Sequence, residues 1–218
     1  MLFRSPTLLT GGVANDGLIC VRAWLNRFED IPGTAFMELQ GRILSGTALR
    51  DMPAELLRRL LEEPEPMPAM HDWFQVHAAL ERGELEQAKA AFQALCARVE
   101  GYEEPQIMEG LLTLCRADLA FASALESGRS EAATELSALN LKAPFFWYAP
   151  HLPPRVRALA AALRGEVSLA RTHLADAQRY ADNSPYATTV ASEAQLRQRI
   201  EAIIERNAAI DTALPQVA

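Results

Sequence analysis

A glycine recurs three times in this chain with the same kind of neighbours, and the recurrence limits what the chain can fold into. The copies are Arg82-Gly83-Glu84-Leu85-Glu86-Gln87-Ala88, Ser127-Gly128-Arg129-Ser130-Glu131-Ala132-Ala133 and Arg164-Gly165-Glu166-Val167-Ser168-Leu169-Ala170. The glycines are 45 and 37 residues apart, and each is followed by an alanine five residues on. Glycine ends a helix in the left-handed conformation without the steric cost a Cβ would carry. The acidic or hydroxyl residue that follows, Glu84, Ser130 or Glu166, suits the start of a second helix. The alanine lets the two helices approach closely. Nine residues after the glycine a large side chain fills the space above it in two copies (Phe92 and Leu174), where the middle copy has Ser137.

The flanking segments carry helical periodicity. Leu85, Ala88, Phe92, Leu95 and Val99 form one apolar stripe, and Val167, Ala170, Leu174, Ala177 and Ala181 form another. The pattern predicts further helices after Pro53, over Trp73–Arg82, from Pro105 to Glu126, over Ser130–Leu139, and from Pro153-Pro154 to Arg164. A last helix runs from Pro185 to about Asn207, with Ile200, Ile203 and Ile204 on one side. Residues 62–68 (EEPEPMP) read as a linker. No segment alternates as a strand would. The expected fold is all-α: helical hairpin repeats stacked as a short α-solenoid, preceded by a loop and a helix. Residues 1–50 carry a net charge of +1 and residues 51–218 one of −8, so the two stretches differ in composition.

Composition removes several function classes. Hydrophobic residues make up 50% and charged residues 22%, as in a globular protein and unlike a disordered one. The net charge of −7 argues against a nucleic-acid partner. Cys20, Cys96 and Cys115 are odd in number and scattered, which fits small apolar residues in a reducing compartment rather than a disulfide framework. His71, His77, His151 and His173 sit in no His-Glu-x-x-His motif, and the phosphate-binding and nucleophile-elbow motifs are absent. The histidines read as surface or packed interface residues. No run reaches the roughly 20 apolar residues of a membrane span.

The three turns resemble the tetratricopeptide repeat, whose second helix opens at Gly-Asp/Glu-x-x-x-Ala. The resemblance covers roughly residues 70–182 and implies stacked helix pairs with a concave face that receives a peptide. The alternative is a helical spacer that binds nothing in particular.

Near the N-terminus, Asn15-Asp16-Gly17 reads as a turn into a helix, where Asp16 serves either as a cap or as a carboxylate held on a constrained loop. The segment Gly11-Gly12-x-x-Asn15-Asp16-Gly17-x-x-x-x-Arg22 resembles the end of the membrane core of the site-2 protease family, intramembrane zinc metallopeptidases. That resemblance implies a zinc ligand at Asp16 with Gly17 as its motif partner. It implies juxtamembrane-type helices within residues 1–50, and a soluble helical tail over 51–218 at the cytoplasmic face of a bacterial membrane. The tail would serve as a protein-interaction or regulatory scaffold, anchored through an upstream membrane region. The family's His-Glu-x-x-His half is not in this chain, so the chain alone is not expected to hydrolyse peptides. The alternative is a free-standing helical-repeat adaptor without enzymatic activity.

Phe145, Phe146, Trp147 and Tyr148 concentrate four aromatics between Pro144 and Pro150. They are candidates for partner binding, or else for a loop packed over the joint between helix pairs. Arg155 and Arg157, just beyond, are candidates to pair with an acidic partner, or else are solvated helix arginines, the commoner case for exposed arginines.

Overall fold

A computed structural model describes residues 33–103 and 108–213, and every regular element among them is helical. Nine α-helices follow in order: α1 (Thr34–Leu44), α2 (Ala54–Arg59), α3 (Met67–Arg82), α4 (Leu85–Glu100), α5 (Glu109–Ser127), α6 (Ala132–Ser137), α7 (Leu152–Leu163), α8 (Val167–Asp182) and α9 (Ala187–Ala213). Short 3₁₀ turns lie at Leu49–Asp51, Leu60–Glu62 and Pro144–Trp147. None of the described helices is long and apolar enough to cross a membrane.

The three repeated glycines end α3, α5 and α7 with φ of +76°, +62° and +76°. At Gly83 and Gly165 the turn closes with two bonds. The Gly83 N–H donates to the Leu80 carbonyl at 3.0 Å and the Glu84 N–H to Ala79 at 2.9 Å. Gly165 donates to Ala162 at 3.0 Å and Glu166 to Ala161 at 2.9 Å. This is the double closure that satisfies the last carbonyls of a helix. Gly128 makes only the single bond to Ala124, at 3.0 Å. Ala88, Ala133 and Ala170, five residues after each glycine, are all buried, so the hairpin helices meet where the sequence keeps the side chain small.

Glu84 and Glu166 do not cap their helices with their side chains, contrary to the expectation. Each carboxylate turns back across the glycine to the arginine before it, Arg82 at 2.5 Å and Arg164 at 2.9 Å. The middle turn reads Ser-Gly-Arg and offers no such pair. Its second helix, α6, has 6 residues, against 16 in α4 and in α8. Helicity expected over Ser130–Leu139 is confined to Ala132–Ser137. After it, the Asn140 Oδ1 accepts the Lys142 N–H at 3.3 Å, a bond that favours a turn over a helix. Pro144 then holds Ala143 in an extended conformation (ψ 137°).

Apolar burial divides into two clusters. The first holds α1, α2, α3 and α4 together through Leu39, Leu57, Phe74, Leu95 and Val99. Each such side chain contributes about 1.5–3 kcal/mol on leaving water. α1 is fixed at its N-terminus by a distant residue: the Glu63 carboxylate accepts the Gly33 N–H at 2.6 Å and the Ala35 N–H at 3.3 Å. The second cluster joins α6, α7, α8 and α9 through Leu136, Val156, Leu159, Leu174 and Ile200. α5 serves both, with Cys115 and Leu119 in the first and Phe121 and Leu125 in the second. α7 lies at the centre of the second: all twelve of its residues are buried except Arg157. The Asn207 side chain of α9 donates to the Ala162 carbonyl at 2.6 Å, tying the last helix to the end of α7.

Candidate functional site

Two polar assemblies stand out, one inside the molecule and one on its surface. The inner one lies where the two apolar clusters meet. Arg155 of α7 is 6% exposed, although its sequence context suggested a solvated side chain. Its guanidinium donates to Asp118 of α5 and to Glu193 of α9, and lies over the Phe121 ring at 4.4 Å from the ring centre. Burial opposes its charge, but the two carboxylates outweigh that cost and keep it protonated. Burial and Asp118 push the Glu193 carboxyl above its ordinary range, against the pull of Arg155. A signal for this burial was present in the sequence. The α7 segment LPPRVRALAAAL is apolar on nearly every side, and such a helix is a buried one.

Two histidines flank this clamp. His151 Nε2 is 3.7 Å from Glu193, and His77 Nδ1 is 3.9 Å from Asp118. Burial, with the Arg155 charge added, lowers His151 to about 4. Burial lowers His77 as well, against the field of Asp118. Both are neutral at pH 7. Cys115 Sγ lies 3.7 Å from His77 Nε2, so Cys115, His77 and Asp118 have the order of a nucleophile, base and orienting acid. The environment runs against that chemistry. Cys115 is fully buried, and burial together with Asp118 raises its thiol well above the ordinary value, away from the reactive thiolate. Asp118 is held by Arg155. The void beside Arg155 and Glu193 measures about 10 Å³, room for one water molecule and no substrate. The cluster is therefore a structural lock joining α3, α5, α7 and α9.

The surface assembly lies where α6 stops short. A cleft of about 340 Å³ opens between α6, the loop 138–143, α7 and α8. Leu136, Leu139, Leu141 and Ala160 supply apolar walls, and Lys142, Arg157, Arg164 and His173 supply nitrogen donors. No acidic residue lines it. Arg164 is engaged by Glu166 and by the Ser137 hydroxyl at 2.9 Å. Among the described residues, neither Lys142 nor Arg157 forms an ion pair with a carboxylate. Burial lowers the His173 imidazole, and the Arg157 charge lowers it further, with Asp176 opposing. The chain carries a net charge of −7, so the cleft is a local reversal of its sign.

The aromatic group expected to bind a partner is divided. Phe146 is buried in the second cluster. Phe145 is half-buried and packs on α5 at Gly110, where a Cβ would collide with its ring. Trp147 and Tyr148 are 72% and 40% exposed and meet edge to face, with ring centres 5.9 Å apart. Half of the group is core and half is surface. Asp16, with the rest of the Gly11–Arg22 motif, lies outside the described residues. Among the described residues, no three His, Cys, Asp or Glu side chains gather as a metal site. Sequence reasoning missed the cleft, because its cations are scattered from 142 to 164 and converge only through the early end of α6.

Compared with protein-family models, curated proteins and solved structures, the chain matches none of them.

Proposed function

We propose that this chain is a helical-repeat adaptor that holds an extended segment of a partner protein in the cleft between α6, α7 and α8 and performs no chemistry on it. The observation that carries the reading is the cleft itself: an apolar-walled space with unpaired cations at its rim, created where the second helix of the middle hairpin stops after 6 residues. Ligand sites elsewhere share that make-up of apolar walls with a few placed polar groups. The packing of α3 on α4 and of α7 on α8 supports it, because stacked helical hairpins present extended surfaces for peptides. Under the membrane-peptidase reading, which rests on Gly11 to Arg22, the same cleft would be the docking surface of the helical tail.

The test is a nuclear magnetic resonance titration of the isotope-labelled chain with peptides of eight to ten residues and varied charge. The adaptor reading expects at least one peptide to shift amide signals confined to residues 136–142, 157–164 and 173. Signals that stay unmoved with every peptide, or shifts scattered over all the helices, would refute it.

A further inference from the structure

Resting on the adaptor reading, we propose that the segment bound in the cleft is acidic and extended, with two carboxylates about three residues apart and an apolar side chain between them. The argument begins on α7. Arg157, Ala160 and Arg164 all line the cleft. Their spacing of three and four residues puts them on one side of the helix. Seven residues of helix separate the two guanidinium-bearing positions by about 10 Å along the axis. A peptide extended in the polyproline-II form rises about 3.1 Å per residue with three residues per turn, so side chains three apart share one side at about 9 Å. Ala160, small and buried, lies between the two arginines and faces the same space as Leu139 and Leu141 of the loop. A ligand that answers cation, apolar wall and cation in that order carries acid, apolar residue and acid.

Arg157 carries most of this. It is the single exposed residue on a helix otherwise buried along its whole length. An exposed arginine that lines a cleft, with no carboxylate partner among the described residues, is placed to meet a charge from outside. Lys142 adds a second free cation from the opposite wall. Among the described residues, no acidic side chain lines the cleft, and the one carboxylate that competes for its cations is Glu166, paired with Arg164 across the glycine turn. An arginine fork suits a carboxylate because two parallel N–H···O bonds form at once.

His173 reports occupancy. It faces Arg157 and Arg164 of α7 and Lys142 of the loop, with Asp176 one turn along α8. A carboxylate that enters beside Arg157 offsets the charge that now helps hold the imidazole down. The His173 titration should then move to higher pH on binding.

The experiment uses the full chain and the fluorescein-labelled peptide Gly-Glu-Val-Ser-Glu-Val-Ser-Glu-Gly, with Gln-for-Glu and Lys-for-Glu versions as controls. Fluorescence anisotropy at low salt should show the Glu peptide binding at least tenfold tighter than the Gln peptide. The Lys peptide should not bind, and the preference should shrink as salt is raised. The double variant Arg157→Glu with Lys142→Glu should lose at least tenfold in affinity for the Glu peptide at an unchanged Tm, since neither side chain makes an internal ion pair. Equal binding of the Glu and Gln peptides would overturn the charge assignment and leave the adaptor reading standing. Binding of none of the three would overturn the proposal, while the adaptor reading stands or falls by the resonance titration. Binding that survives in the double variant, or a His173 titration that does not move, would place the site elsewhere and overturn the proposal. Self-association of the chain that the double variant abolishes would make the occupant a second copy, and overturn it too.

Discussion

Arg155 and Arg157 stand two residues apart on α7 and meet opposite environments. Arg155 points into the seam between the two apolar clusters, where Asp118 and Glu193 enclose its charge. Arg157 points out, into a cleft with no acid on its walls. The residue type and the helix are the same, and the difference is what the helix turns each side chain toward. A buried guanidinium with two fixed carboxylates ties three helices, α5, α7 and α9, to one another. An exposed one without a partner has its bonding capacity left for a ligand. The buried clamp and the proposed binding face thus lie on two sides of one helix, separated by about 200° of rotation.

The comparison is broken most directly by removing each arginine in turn. Arg155→Ala leaves two carboxylates without their cation in a buried site, which costs about 3–5 kcal/mol. For a chain of this size that corresponds to roughly 10 °C in Tm. Arg157→Ala should leave Tm where it is. Thermal unfolding followed by circular dichroism decides the matter, and equal losses from the two substitutions would end the distinction. Replacing Arg155, Asp118 and Glu193 together with leucine should recover most of the loss, because no charge is then stranded.

Acid should loosen the inner face and not the outer one. His151 has an ordinary pKa of 6.5 when unfolded and about 4 in the fold. Above pH 6.5 neither state is protonated there, and His151 contributes nothing to the pH dependence. Below it the unfolded chain takes up a proton that the folded chain refuses, so stability falls as pH drops from 6.5 to 4, by about 3 kcal/mol at most. His77, also lowered, acts in the same direction. Glu193, raised by burial, opposes both at the acid end, since its protonation favours the fold. Urea unfolding at pH 7 and at pH 4.5 should show a loss near 2 kcal/mol, and His151→Gln should remove most of it. A pH profile that His151→Gln leaves unaltered would show that the acid sensitivity arises elsewhere.

The outer face was harder to read from sequence than the frame around it. The glycine turns, the stripe through Ala88, Leu95 and Val99, and Ile200, Ile203 and Ile204 on the last helix were all legible, because each rests on local spacing that tertiary contacts reinforce. The length of α6 was not. Ser130 to Leu139 has helical periodicity. The helix stops at Ser137 because Asn140 turns the chain with its own side chain and Pro144 holds the residue before it extended. The fate of the aromatic group was equally hidden. Phe145 and Phe146 are inside because α5 offers Gly110 and the second cluster offers a gap, and Trp147 is outside because the 3₁₀ turn carries it round. Arg155 was legible only through its helix: a charge embedded in an otherwise apolar segment goes where that segment goes.

The smallest expected effect joins the turns to the cleft. Arg164 lines the cleft, yet its guanidinium is engaged by Glu166 across the glycine turn and by Ser137. The pair is exposed, and exposed pairs hold their partners weakly. Glu166→Gln removes the competing charge and leaves Arg164 free to face a bound carboxylate. The variant should bind the acidic peptide about two- to threefold tighter than the parent chain, a gain of the order of one exposed ion pair. The matching change at the first turn, Glu84→Gln, frees Arg82, which lines no part of this cleft, and should leave the affinity unchanged. Anisotropy titrations of the two variants side by side separate a local release of Arg164 from a general loss of negative charge. Equal gains from both would mean that the peptide senses only the net charge of the chain. A gain from Glu166→Gln alone would tie the arginine–glycine–glutamate turn at the end of α7 to the strength of the site beside it.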